Sequence, residues 1–222
     1  MRTLSLALFS ALVLSATACG GSDSISLEEL PARIASASCE RIFRCCDATE
    51  QMQQFDNFDP PPTNQAECEA TLTALYQNFI INDEALDAGR LGYDSAAAGE
   101  CVAAADGAAC GGAAGGVDSE ACDRVFVGKV AIGGACEGDD ECAGEASCEG
   151  DPGTCEALPA LGAACIGPCV SGAYCDFATS VCTTLKSNGA ACDIEFECQS
   201  DYCDDTTMQC ATEPPSTTCD GN

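Results

Sequence analysis

The stretch Gly133-Gly134-Ala135-Cys136-Glu137-Gly138-Asp139-Asp140-Glu141-Cys142 opens a pattern that the chain repeats twice more. With Cys148 and Cys155 it makes a first unit, residues 133–155. Gly162-Ala163-Ala164-Cys165 opens a second unit, 162–182, completed by Cys169, Cys175 and Cys182. Gly189-Ala190-Ala191-Cys192 opens a third, 189–210, completed by Cys198, Cys203 and Cys210. The first cysteines lie 29 and 27 residues apart, and six residues separate the last two cysteines of every unit. Tyr174 and Tyr202 precede the third cysteine where the first unit has Ser147. A unit this short cannot enclose an apolar core of its own. The spacing therefore predicts irregular loops and a short two-stranded ribbon held by two bridges. First-to-third with second-to-fourth is one of the three pairings that four cysteines permit, and spacing does not choose among them.

Counting outward from the repeats constrains the rest. The chain has 222 residues and 21 cysteines, an odd number. Besides Cys19, the cysteines outside the units are Cys39, Cys45, Cys46, Cys68, Cys101, Cys110, Cys122 and Cys219. Seven of these eight precede Cys136. If all are oxidised, at least one bridge must leave the N-terminal set. Cys122 to a cysteine of the first unit is the favoured assignment, and Cys219 must find a partner outside its short tail.

Cys19 reads differently from the other twenty. Met1-Arg2 is a short basic start, and Leu4 to Ala18 is nearly unbroken apolar and small residues. That is the grammar of a secretory signal, residues 1–18, too short to span a bilayer comfortably. Ala16-Thr17-Ala18 before Cys19 resembles a bacterial lipoprotein signal, in which the cysteine thiol is joined to diacylglycerol and the chain is cut just before it. Small residues match that pattern, and Ala16 stands where leucine is usual. Lipidation of Cys19 leaves an even count of twenty. The alternative is ordinary cleavage, which gives a secreted protein with an odd thiol. Gly20-Gly21 in place of aspartate after the cysteine points to the outer membrane of a Gram-negative host.

Between these ends the chain reads as a lipidated tether (19–29), a helical domain (30–106), a Gly/Ala linker (107–121), the repeat region (122–212) and a polar tail (213–222). Ser26 is a candidate cap before Glu28-Glu29. Pro31 falls either in the first turn or at a division between two helices. Ile34, Ala35, Cys39, Ile42, Phe43 and Cys46 form one stripe at helical spacing. Residues 47–63, with Pro60-Pro61-Pro62, read as a break. A helix over Gln65–Ile81 carries Cys68, Leu72, Leu75, Tyr76 and Phe79 on one face. Shorter helices follow at Asp83–Ala88 and Ser95–Ala105. Bridges among Cys39, Cys45, Cys46, Cys68 and Cys101 are expected to pin them, with the adjacent Cys45 and Cys46 reaching different partners. Val125–Ile132 reads as a strand or hairpin leading into the repeats. The fold class is thus small and disulfide-rich: a disulfide-pinned helical domain, then irregular, short-β cysteine-rich repeats.

The repeats, over about 122–210, resemble those of predicted myxobacterial cysteine-rich lipoproteins, some of them similar to the N-terminal cysteine-rich region of Dickkopf proteins. Ala37-Ser38-Cys39-Glu40-Arg41-Ile42-Phe43-Arg44-Cys45-Cys46 resembles the helical lead-in of the same proteins. The resemblance implies an extracytoplasmic location and disulfides. It implies no activity for particular residues.

Composition removes several function classes. The chain has no histidine, so histidine triads and histidine metal sites are excluded. It has no phosphate loop, dinucleotide glycine pattern or nucleophile elbow. Its 36 Asp and Glu against 8 Lys and Arg give a formal net charge of −28, which repels nucleic acid and anionic lipid. Asp139-Asp140-Glu141 and Asp204-Asp205 read as exposed acidic turns without a calcium-loop ladder. No catalytic residue, metal or cofactor is assigned. The leading function is a surface-anchored structural or protein-interaction module, bound to a membrane through its lipid and to an extracellular protein or glycan. The alternative is a protease inhibitor presenting Lys186-Ser187.

Overall fold

The computed structural model describes residues 24–111, 120–214 and 219–221. Cys19 and the signal stretch lie outside them. The first described residues already belong to the body: the Ile25 N–H donates to the Ser95 carbonyl at 3.0 Å, and the Tyr93 hydroxyl donates to the Ile25 carbonyl at 2.8 Å.

Helix α1 spans Leu30–Cys45, with Pro31 inside its first turn, where its missing N–H costs nothing. Just upstream, Ser26 and Glu29 exchange hydrogen bonds and close the preceding turn. The apolar stripe of α1 packs on α3 (Gln65–Phe79) and α5 (Ser95–Asp106), and two small cores result. One gathers Ile25, Leu30, Ile34, Ala97, Ala98, Val102 and Val125; the other gathers Ala35, Phe55 and Leu72 around Cys39–Cys68. Asn64, Asn82 and Asp94 cap α3, the short α4 (Asp83–Asp87) and α5 through their side-chain oxygens.

Phe79, expected on the packed face of α3, is exposed at the last turn of that helix, where no element among the described residues covers it. The structure departs from the sequence expectations in three further places. Residues 47–63 are not wholly a break, because Ala48–Gln54 forms α2 under a capping box between Asp47 and Glu50. This helix buries no residue, so it left no apolar stripe to read. Second, Val125 and the following strand do not belong with the repeats. Strand β2 (Phe126–Gly128) pairs antiparallel with β1 (Leu91–Tyr93), placing Tyr93 opposite Phe126 with ring centroids 5.7 Å apart. Residues 122–128 therefore complete the helical body. Third, only Cys39–Cys68 joins two members of the expected pinning set. Cys101 bonds Cys122, so Cys122 does not reach the first unit; the two sit where α5 packs on the turn Cys122–Arg124.

The helix-end doublet splits as expected. Cys45 bonds Cys110, and Cys46 bonds Cys219 across 173 residues. The tail is seated there by more than sulfur. The Cys219 N–H donates to Glu50 Oε1 at 2.9 Å, the Gly221 N–H to the Cys45 carbonyl at 3.0 Å, and the Gly111 N–H to the Cys219 carbonyl at 2.9 Å. The repeats thus leave the body at Gly128, and the chain returns to it at Cys219.

Two expected outcomes test this arrangement. Replacing Cys46 and Cys219 together by serine costs about 2–4 kcal/mol in a non-reducing guanidinium melt while leaving helical circular dichroism intact. Peptide mapping of the unreduced native protein should recover the Cys46 and Cys219 peptides joined. The second concerns Tyr93, whose hydroxyl burial, with Glu29 and Asp94 nearby, pushes up to about 12 from 10.0. The fold favours the neutral phenol, so that contribution is complete below pH 10 and is lost as pH rises through 12. Melts on either side of this window should show the native chain losing more stability than Tyr93→Phe; equal losses would contradict the assignment.

Candidate functional site

Each repeat is a loop closed over a small antiparallel hairpin. The hairpins are β3 (Ala146–Glu149) with β4 (Thr154–Ala157), β5 (Ala173–Asp176) with β6 (Val181–Thr184), and β7 (Cys203–Asp204) with β8 (Gln209–Cys210). The third and fourth cysteines face each other across every ribbon: Cys148 with Cys155, Cys175 with Cys182, Cys203 with Cys210. Directly opposed residues project from the same face of a ribbon. They do not bond one another. Each reaches instead to the loop, first to third and second to fourth, in all three units. Two bridges therefore lie side by side under each loop and form its interior. This explains why the sulfurs of Cys136, Cys142 and Cys155, and of their counterparts, cluster within 4.8 Å. Sulfur held as a disulfide is not a thiolate ligand.

The backbone repeats with the cysteines. Gly133, Gly162 and Gly189 have φ of 86°, 82° and 88°, and each donates its N–H to the carbonyl of its unit's last cysteine. Left-handed backbone is the reason for glycine at this position. In the loops, the N–H groups of Ala143, Val170 and Gln199 donate to the carbonyls of Val130, Pro159 and Lys186. The residue leading into a unit is thereby clamped against the residue after its second cysteine.

Units one and three share a further device. Glu141 and Glu197 stand immediately before the second cysteine. Their carboxylates accept the N–H of the residue after the first cysteine, Glu137 and Asp193, both at 2.9 Å. A base closes each arrangement. Arg90 Nε lies 2.9 Å from Glu141 Oε2, and Lys186 Nζ lies 2.7 Å from Glu197 Oε2. Arg90 belongs to the helical body, so its pair with the fully buried Glu141 ties that body to the first unit. Glu137 adds a second carboxylate 3.1 Å from Arg90. Nearby, the backbone approach is too close for a side chain: a Cβ on Gly128 would collide with the Cys142 carbonyl. Lys186 also lies 5.6 Å above the Tyr174 ring, joining unit two to unit three. Its ammonium pKa is raised, chiefly by the bond to Glu197.

Unit two lacks the device for a readable reason. Only three residues separate Cys165 from Cys169, against five in the other units, and Pro168 replaces the glutamate. The matching lead-in residue is Pro159, which has no N–H to give. Val130 and Lys186 do donate theirs, to the carbonyls of Glu141 and Glu197. Unit two is held to unit one by Glu145 instead, whose Oε1 accepts the Ser171 N–H at 2.7 Å; the Ser171 hydroxyl first, and this N–H second, hold its carboxyl below the usual range.

Asp139-Asp140-Glu141 is thus not simply an exposed acidic turn. Asp139 accepts the Cys148 N–H at 2.7 Å, and Glu141 is internal. Asp204 tightens its own hairpin turn by accepting from the N–H groups of Thr206 and Thr207. Lys186, the residue singled out for inhibition, is half-buried and has side chain, N–H and carbonyl all engaged with unit three. Arg90 leaves no local signal in the sequence, because its partner Glu141 lies 51 positions further along the chain. Glu141 carried a signal, since aligning units one and three puts a glutamate before the second cysteine in both.

Glu141→Ala removes the charge partner of Arg90 and the acceptor of the Glu137 N–H. It should cost about 1–3 kcal/mol in chemical denaturation. Glu195→Ala, on an exposed turn of unit three, should stay within about 0.5 kcal/mol of the native chain. Equal stability of the two variants would show that this pair does not hold the joint. No family model matches the chain, and neither the curated proteins nor the solved structures include a match to it.

Proposed function

We propose that the chain is an extracytoplasmic protein anchored by a lipid on Cys19, which displays its three repeats as a binding surface and acts by association without catalysis. The observation that carries this reading is the double attachment of the repeats. They leave the body at the Gly128 and Arg90 joint, and the chain is returned to it by Cys46–Cys219. Such an arrangement suits presentation of a surface in a fixed orientation. Ten disulfides among the described residues accord with an oxidising compartment. No helix of the described residues is long and apolar enough to cross a membrane.

The body begins at Ile25, six residues beyond Cys19, a contour of at most ~20 Å. A lipid on Cys19 would hold the helical body close to the bilayer, and the chain's negative charge would keep it from lying on anionic headgroups. The outer membrane is the favoured site. The inhibitor reading gains no support from Lys186, whose amine and backbone are already engaged.

Intact mass of the protein extracted from membranes should show a diacylglyceryl addition on an N-terminus at Cys19. Cys19→Ala should release the chain into the soluble fraction. A native product with another N-terminus and no lipid mass would overturn the anchor.

A further inference from the structure

The interior of each repeat is made of cysteines, and its large apolar side chains are outside. Phe177 is 68% exposed, Phe196 67% and Ile166 97%. The repeat scaffold does not require them. At the place of Phe177 the first and third units have Gly150 and Asp205. At that of Phe196 the first and second have Asp140 and Gly167, and at that of Ile166 the first and third have Glu137 and Asp193. The same disulfide frame and hairpin form in each case.

Two of these side chains sit on rigid supports at one joint. The turn Glu195–Glu197, which carries Phe196, packs against β5, and Phe177 follows β5 directly. Asp176 pins the backbone after Phe177 by accepting the Ala178 N–H at 2.9 Å and the Thr179 hydroxyl at 2.9 Å. Lys186 pins the other side through Glu197 and Tyr174. Exposed aromatic groups on ordered backbone lose little freedom on binding, which is the property of an interface anchor.

Charge selects the partner. Unit three carries Asp193, Glu195, Glu197, Asp201, Asp204 and Asp205, Asp176 stands beside Phe177, and the single base of residues 133–210, Lys186, is already matched by Glu197. An apolar contact made here brings a partner into a field of carboxylates. We propose that the joint between units two and three, with Phe177 and Phe196 as anchors, docks a cationic amphipathic segment of another polypeptide, one that presents Lys or Arg beside apolar side chains. This rests on the reading of the chain as an interaction module and names its site and partner chemistry.

The full-length mature protein can be titrated with a labelled Lys/Leu amphipathic peptide and with a Lys/Ser peptide of equal length and charge. The Lys/Leu peptide should bind at least tenfold more tightly. Phe177→Ser with Phe196→Ser should abolish that difference and leave the Lys/Ser affinity unchanged. Phe79→Ser, on an 80% exposed phenylalanine of the helical body, should leave the difference intact. Non-reducing melts verify that both variants keep the fold. Equal binding of the two peptides would overturn the proposal, since charge alone would then act. A difference that survives the double substitution but falls with Ile132→Ser and Leu161→Ser would overturn this site while leaving the module reading standing. Binding to phosphatidylcholine vesicles that depends on the same two phenylalanines would overturn the polypeptide partner in favour of a lipid surface.

Discussion

Two adjacent cysteines close helix α1, and the architecture follows from the different places to which Cys45 and Cys46 send their sulfurs. Cys45 closes the chain that follows α5 onto the end of α1, through Cys110. Cys46 takes Cys219, from beyond the repeats. The tail is then held between Glu50, Cys45 and Gly111 by backbone hydrogen bonds. Everything from Gly128 to Cys219 therefore leaves from and returns to one helical body. The odd cysteine of the N-terminal set is satisfied by the tail, so every repeat keeps its four cysteines for itself.

The two parts solve the same problem with different chemistry. The helical body buries Leu30, Ile34, Phe55, Leu72 and Val102 between amphipathic helices and adds bridges at their ends. The repeats have almost no apolar residues to bury, and paired sulfurs take the place of a core. A covalent interior frees the outer positions from the demands of packing. Those positions vary from unit to unit: carboxylates in one, Ile166 and Phe177 in the next, Phe196 in the third. Variation on a constant frame supports the proposal that the repeats form a recognition surface.

Charge has a structural role as well. A surface with this excess of carboxylate repels itself. Three of the bases act where elements meet: Arg90 on Glu141 and Glu137, Lys186 on Glu197, Arg124 on Glu100. Many of the acids are engaged too, as caps and turn acceptors. Asp94 and Asp204 accept backbone N–H groups, and those bonds hold their carboxyls below the usual range.

What the sequence determined was local and periodic. The stripe of α1, the start of α3 at Gln65 and the repeat of four cysteines each report geometry within a few turns of chain. Periodicity carries that information directly, whereas the choice of Asn64 over Thr63 as the cap of α3 came from the structure. Parity added one long-range fact, that a bridge must leave the N-terminal set. Tertiary structure alone decided which one. The partner of Cys122 depended on α5 packing against residues 122–124, and the partner of Cys219 on where the chain returns. The pairing of Leu91–Tyr93 with Phe126–Gly128, and of Arg90 with Glu141, likewise joins short segments with no period of their own. Such contacts depend on which surfaces meet once the helices and repeats have formed, and a linear pattern holds no record of that meeting.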